Sequence, residues 1–119
     1  MNKRRVGSQY EQVAAEYLAA KGYRILEQNY RKRGGELDIV ARDGNMLVIC
    51  EVKYRSTQAK GNPLEAVGIQ KQRQISKMTA HYLLSRGLRL EVPVRFDVIG
   101  IEGDGSITHI TNAFEYCYE

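Results

Sequence analysis

The sequence predicts an α/β fold in which helices flank a central mixed five-stranded sheet. Three observations predict it: two stretches with apolar residues at helical spacing, five short stretches that read as strands, and turn signals between them. Their order along the chain is α-β-β-β-α-β-β, which favours a sheet covered by helices on its faces. At 119 residues the chain forms one domain, 1–119, because it can bury one core but not two.

The first helix is predicted over residues 8–21. Ser8 and Glu11 form a capping-box pattern at its start, and Gly22 is suited to end it. Residues 23–30 then have the composition of a first strand. The apolar positions that define the helical face are Tyr10, Val13, Ala14, Tyr17 and Leu18.

A β-hairpin is predicted next, with arms over Leu37–Ala41 and Met46–Tyr54 around the turn signal at residues 43–45, Asp-Gly-Asn. The second arm is apolar on both faces over Leu47–Cys50, as in a central strand covered on both sides. In that setting Cys50 is expected to be a reduced core thiol, and the chain has no cysteine spacing typical of zinc.

The second half of the chain is predicted to start with a polar loop at residues 55–62. Asn62 and Pro63 offer an N-cap and a first helical position for a long helix that runs to about Ser85, with Gly68 as a break near its start. The last two strands are predicted over Val92–Ile101 and Ile107–Thr111, on either side of a turn at residues 103–106.

The charge and hydropathy of the chain restrict the class of protein. The net charge of +4 allows a polyanionic partner without requiring one. No apolar run is long enough to cross a membrane, and the N-terminus does not lead into the apolar core of a signal peptide. We therefore expect a cytoplasmic protein that does not associate with membranes.

The hairpin carries the residues that point to chemistry: Asp38 on the first arm and Glu51-x-Lys53 on the second. Residues two apart in a strand share a face, so Glu51 and Lys53 point the same way. A two- or four-residue loop would place Asp38 on their side, and a three-residue loop would place it on the other. Two carboxylates and a lysine can hold Mg²⁺ and position a water against a phosphodiester. The alternative is a salt-bridged polar patch on a solvated sheet face.

Several other residues could serve such a site, and each has a structural alternative. Glu11 could reach in from the first helix as a further metal ligand, or act only in the capping box. Glu36 could join the site or simply be exposed at the start of its strand. Tyr54 could stack on an unpaired base or pack on the sheet, and Asp97 is expected to pair with a basic residue such as Arg95. The basic residues that could neutralise phosphates, or merely be solvated, are Arg31, Arg33, Arg55, Lys71 and Arg73.

Two segments, Gly35–Ala41 and Ile49–Arg55, resemble the PD-(D/E)xK nuclease superfamily, with Asp38, Glu51 and Lys53 as its motif. The whole chain more closely resembles the YraN-type bacterial family, which is similar to archaeal Holliday-junction resolvases. The further segments that carry this likeness are residues 10–14, 29–31, 63–67, Lys71, 94–98 and 109–114.

The resemblance implies a restriction-endonuclease-like fold with its active centre on the hairpin. Together with Asp38 and Glu51-x-Lys53 in a basic chain, it predicts an endodeoxyribonuclease that depends on Mg²⁺ (or Mn²⁺) and cuts DNA, with branched structures among its candidate substrates. Asp38, Glu51 and Glu11 would be the metal ligands, and Lys53 would assist the attacking water. A homodimer would suit cleavage of two strands. The alternatives are a non-catalytic nucleic-acid-binding module that acts with partner proteins, and a structural domain whose positive charge is incidental.

Overall fold

The computed structural model describes residues 3–56, 62–89 and 91–117, with side chains described from residue 9 onward. The observed order is α-β-β-β-α-β-β, so the predicted fold class is confirmed. No helix within these described ranges is both long and apolar enough to span a membrane. The elements are α1 (Lys3–Ala20), β1 (Arg24–Lys32), β2 (Gly35–Asp43), β3 (Met46–Arg55), a 3₁₀ turn (Pro63–Ala66), α2 (Ile69–Ser85), β4 (Val94–Glu102) and β5 (Ile107–Phe114).

The sheet is mixed, as predicted, and its spatial order is β1-β2-β3-β4-β5. Strand β3 pairs parallel with β4, and all other neighbours pair antiparallel. A parallel pair needs a long crossover connection, which the 3₁₀ turn and α2 supply between β3 and β4. Strand β3 is therefore central, with an antiparallel hairpin on one side and a crossover strand on the other.

The core consists of two apolar layers, one on each face of the sheet. Ala14 and Leu18 of α1 pack on Val48 and Cys50, while α2 packs on residues that include Ile49. This explains why β3 is apolar on both faces, because alternate residues meet different helices. Cys50 is fully buried and free, and burial raises the pKa of its thiol well above the ordinary value.

Helix α1 begins at Lys3, well before Ser8, so the predicted capping box at Ser8 is wrong. The lysine and arginines ahead of Ser8 have good helix propensity, and they extend the helix through the local capping signal. The predicted end is confirmed: Gly22 has φ +96°, and its N–H donates to the carbonyl of Ala19 at 3.0 Å. Glu11 thus lies inside the helix, where its side chain is free of the capping role.

The turn before α2 sits directly on the sheet. Asn62 caps it as predicted, because its Oδ1 accepts a hydrogen bond from the N–H of Leu64 at 2.8 Å, and Gly68 separates the turn from α2. Pro63 packs over Gly100 of β4, where a Cβ atom would lie 2.4 Å from Pro63 Cγ. Most of the predicted polar loop, residues 57–61, lies outside the described residues.

A buried polar network fastens β5 to β4. Asp97 is 1% exposed and accepts hydrogen bonds from Arg95 Nε at 2.8 Å and from the Asn112 N–H at 3.0 Å. His109 Nε2 lies 2.7 Å from the second carboxylate oxygen. The predicted pairing of Asp97 with Arg95 is confirmed, and the network gives His109 a structural role.

Candidate active site

The loop of the β2–β3 hairpin has two residues, because Asp43 pairs directly with Met46. Gly44 takes φ +62°, which tight hairpin loops require. The register then runs regularly to Ile39 opposite Cys50. Continued by one residue, it sets Asp38 opposite Glu51, the arrangement expected for an even loop.

Asp38 and Glu51 meet where the ladder between β2 and β3 ends. Beyond Ile39 the side chain of Asp38 replaces the ladder, since its Oδ2 accepts a hydrogen bond from the N–H of Val52 at 2.8 Å. The Asp38 carboxyl lies close enough to Glu51 to raise the pKa of that residue, and Asp38 and Glu51 are only 8% and 4% exposed. The two predicted carboxylates are thus brought together in a site that is almost fully buried.

The Glu51 carboxyl is electrostatically strained. Burial is the main cause, and its contact with Asp38 adds to it, so that the pKa of Glu51 is raised to about 9. The nearby charges of Lys71 and Lys53 oppose this shift. Such a pair favours any positive species between its oxygens, whether a proton or a cation.

Two lysines approach the carboxyl pair, although only Lys53 was predicted there. Lys53 is half-buried on β3, and its charge acts on Glu51. Lys71, predicted as a phosphate contact, lies in the first turn of α2 with its Nζ 3.4 Å from Glu51 Oε2. That is an ion-pair distance without hydrogen-bond geometry, and Oε2 has no hydrogen-bond partner in the described part of the chain.

Glu11 faces the same site from α1, as predicted. Burial, followed by the negative charges of Asp38 and Glu36, raises the pKa of Glu11 to about 7, while Arg31 acts in the opposite direction. Asn29 of β1 also contacts Glu11: with its amide nitrogen turned toward the carboxyl group, it donates to Oε1 at 2.7 Å and to Oε2 at 2.6 Å. In the sequence, Asn29 had carried only part of the family resemblance, and no role at the site had been predicted for it.

An aromatic pair anchors this part of α1 to the sheet. The rings of Tyr10 and Tyr54 stack with centroids 4.1 Å apart and planes inclined by 20°. Each tyrosine is adjacent in sequence to a predicted site residue, Glu11 or Lys53. Tyr54 is 47% exposed, and one of its ring faces packs on Tyr10 of α1.

The other predicted residues occupy different surroundings. Glu36 forms an ion pair with Arg31 at 2.8 Å. Arg33 and Arg73 are exposed, whereas Arg55 is mostly buried and pairs with Glu102 at 3.4 Å. An open cleft of about 480 Å³ is connected to the carboxyl pair through Lys71, and its lining residues are Arg31, Lys32, Gly35, Glu36, Lys71 and Gln74.

The carboxyl pair fits a hard divalent cation. Across residues 9–56, 62–89 and 91–117, no group of three or more His, Cys, Asp or Glu side chains is already arranged as a metal site. Mg²⁺ needs only one or two carboxylates, however, because it keeps several of its waters. Among the described residues the buried Oε2 of Glu51 has no hydrogen-bond donor, and a cation would compensate its charge. Asp38 and Glu51 therefore remain predicted ligands, as does Glu11 beside them.

Comparison with known proteins gives one consistent result. The model of the uncharacterised protein family UPF0102 matches residues 10–101, a range that contains Glu11, Asn29, Asp38, Glu51 and Lys53. A UPF0102 protein of Thermodesulfovibrio yellowstonii is 47% identical over 109 residues, covering 92% of this chain and 95% of that protein. One from Lachnoclostridium phytofermentans is 49% identical, with 97% of each chain covered, and one from Geobacter sulfurreducens is 50% identical, with 95% and 91% covered.

Proposed function

The chain belongs to the uncharacterised protein family UPF0102, and we propose that it is a metal-dependent nuclease that hydrolyses phosphodiester bonds of DNA. The observation that carries the proposal is the close approach of two buried carboxyls, those of Asp38 and Glu51, with the charges of Lys53 and Lys71 acting on the same site. A buried carboxyl pair is costly for a fold to keep, and strongly perturbed carboxyls of this kind concentrate at functional sites.

Each residue of the site has a role that its surroundings support. Asp38 is oriented by the Val52 N–H, and Glu51 supplies the second carboxylate. A bound Mg²⁺ or Mn²⁺ would supply charge neutralisation and a water of lowered pKa. Lys53 would orient the attacking water and support negative charge on the phosphate. Glu11 would complete the acidic set from α1.

The substrate side of the proposal rests on the basic cleft. Arg31, Lys32 and Lys71 line it, and side chains of this kind neutralise backbone phosphates without reading sequence. Arg33 and Arg73 are exposed and add positive charge elsewhere on the surface. Branched DNA and a homodimer that cuts two strands belong to the same proposal, since a two-fold pair of sites matches two-fold symmetric junctions.

The test is cleavage of labelled linear and branched DNA with Mg²⁺, with Mn²⁺ and with EDTA. We expect metal-dependent cutting that Asp38→Asn removes, and that Lys53→Ala slows by about 10²-fold or more, because a positioned proton-transfer group is lost. Lys21→Ala, at an exposed position just after α1, is the matched lysine control and should cut normally. If the wild-type protein cuts DNA no faster than Asp38→Asn does, the proposed nuclease activity is refuted.

A second candidate is a non-catalytic nucleic-acid-binding module that acts with partner proteins. It is favoured by the Lys71–Glu51 ion pair, because an ammonium group already offsets one of the two carboxyls. This candidate predicts DNA binding that weakens steeply with salt and is unchanged by Lys53→Ala. Measuring affinity at several salt concentrations beside the cleavage assay separates the two functions.

A further inference from the structure

Asn29 stands at an irregular point of β1, directly across from the candidate site. The register pairs Gln28 with Ile39 and Tyr30 with Leu37, so Asn29 lies opposite Asp38. Its φ is +56°, in the left-handed region that a strand residue other than glycine rarely adopts. Asparagine is among the residues that tolerate this conformation best, so the residue type suits the kink.

The kink coincides with a specific contact. With the amide in the orientation that its surroundings favour, the Asn29 nitrogen donates to both oxygens of Glu11, at 2.7 and 2.6 Å, and so bridges β1 to α1 at the level of Asp38. The Glu11 carboxylate is repelled by the negative charges of Asp38 and Glu36. A donor at this place opposes that repulsion and keeps the carboxylate from turning out to solvent.

The neutrality of the donor matters as much as its position. A lysine or arginine in place of Asn29 would also hold Glu11, but it would cancel the negative charge that a divalent cation requires. A carboxamide offers hydrogen-bond donors without a net charge. It can therefore orient an acidic ligand and leave its charge available.

We propose that Asn29 is a positioning residue of the active centre, whose amide, presented by the left-handed kink of β1, holds the Glu11 carboxylate toward Asp38 for a divalent cation. The inference rests on the proposed function for the identity of the cation. It assigns to Asn29 a role through Glu11 and no contact with substrate.

The test separates the amide from the backbone kink. Asn29→Gly keeps the left-handed conformation and deletes the amide. Asn112→Gly is the matched control, because Asn112 has φ +51° on β5 and lies in the Asp97 network. We measure Mn²⁺ affinity of the full chain by calorimetry, with the melting temperature of each variant as a check on folding.

We expect Asn29→Gly to weaken Mn²⁺ binding by about 10-fold, the usual effect of removing a group that orients a metal ligand. Asn112→Gly should bind as the wild type does. In a Glu11→Gln background Asn29→Gly should not lower the Mn²⁺ affinity further, because the two residues act through the same contact. Wild-type affinity in Asn29→Gly, or an undiminished loss in the Glu11→Gln background, would overturn the assignment.

Cleavage measured on the same samples distinguishes this inference from the nuclease proposal. Suppose that the wild-type chain binds Mn²⁺ and that Asn29→Gly lowers this affinity, but that no DNA is cut. The positioning role of Asn29 is then supported, and the proposed nuclease activity is refuted. If the wild-type chain binds no Mn²⁺, the role of Asn29 is refuted together with the metal-dependent site.

Discussion

Replacing Glu51 with glutamine is expected to stabilise the metal-free protein at alkaline pH and to abolish the metal-dependent cleavage that we propose. The Glu51 carboxyl is 4% exposed, and its pKa is raised from 4.5 to about 9, chiefly by burial and then by Asp38. The folded state therefore binds this proton more tightly than the unfolded chain does. As a result, the free energy of unfolding falls as pH rises between these two pKa values. Glutamine carries no charge to bury, so the variant escapes this loss.

Chemical unfolding in EDTA between pH 5 and pH 9 measures the effect. We expect the wild type to lose stability across this range, and Glu51→Gln to be the more stable protein at pH 9 by on the order of 3 kcal/mol. Mn²⁺ should restore stability to the wild type alone, and cleavage by Glu51→Gln should fall by about 10³-fold. Glu16→Gln, on the exposed face of α1, is the matched control. If the free energy of unfolding changed with pH in the same way for wild type and Glu51→Gln, the raised pKa of Glu51 would be contradicted.

Replacing Asp97 with asparagine is expected to cost about 2–4 kcal/mol of stability, because it breaks a buried charge network from one side. Burial acts to raise the pKa of Asp97, but hydrogen bonds from His109, Arg95 and the Asn112 N–H outweigh it and lower the pKa. An asparagine amide cannot accept from all of these donors. The variant leaves Arg95 without its bidentate partner and loosens the attachment of β5.

Thermal and urea unfolding at pH 7 test this expectation. Asp43→Asn is the matched control, since Asp43 is an exposed partner of the same Arg95 at 3.5 Å, and it should change stability by less than about 0.5 kcal/mol. A depressed carboxyl pKa contributes stability above its unfolded value of 3.8 and loses it as pH falls further. The gap between wild type and Asp97→Asn should therefore narrow only in acid. If Asp97→Asn and Asp43→Asn lowered the free energy of unfolding by the same amount, the stabilising role of the Asp97 network would be refuted.

The predictable parts of the fold are those fixed by local chemistry. The hairpin followed from its Asp-Gly-Asn turn and its alternating arms, and the two-residue loop then determined which residue meets Glu51. The start of α1 was missed because Ser8 carries a good capping signal that residues ahead of it override. Local signals compete with one another, and the extent of a helix depends on which of them wins.

The parts of the site that sequence reasoning missed depend on contacts between distant segments. Lys71 reaches Glu51 only because a crossover helix follows β3, and Arg55 pairs with Glu102 through the parallel register of β3 and β4. No turn sets that register, so the sequence carries no local sign of it. Asn29 is similar: its left-handed backbone in mid-strand has at most a weak signal in the residue type itself.

The bare backbone of Gly100 bears on the lysines of the site. Gly100 pairs with Lys53 across β3 and β4, and Pro63 rests in the space where a side chain would begin. Pro63 opens the turn that leads into α2, the helix that carries Lys71, so we infer that its close packing on Gly100 affects how near that helix lies to the sheet. A methyl group at position 100 would collide with Pro63, so the turn ahead of that helix would have to move away from the sheet. The distance between the Lys71 ammonium group and Glu51 therefore depends on the absence of a side chain at Gly100.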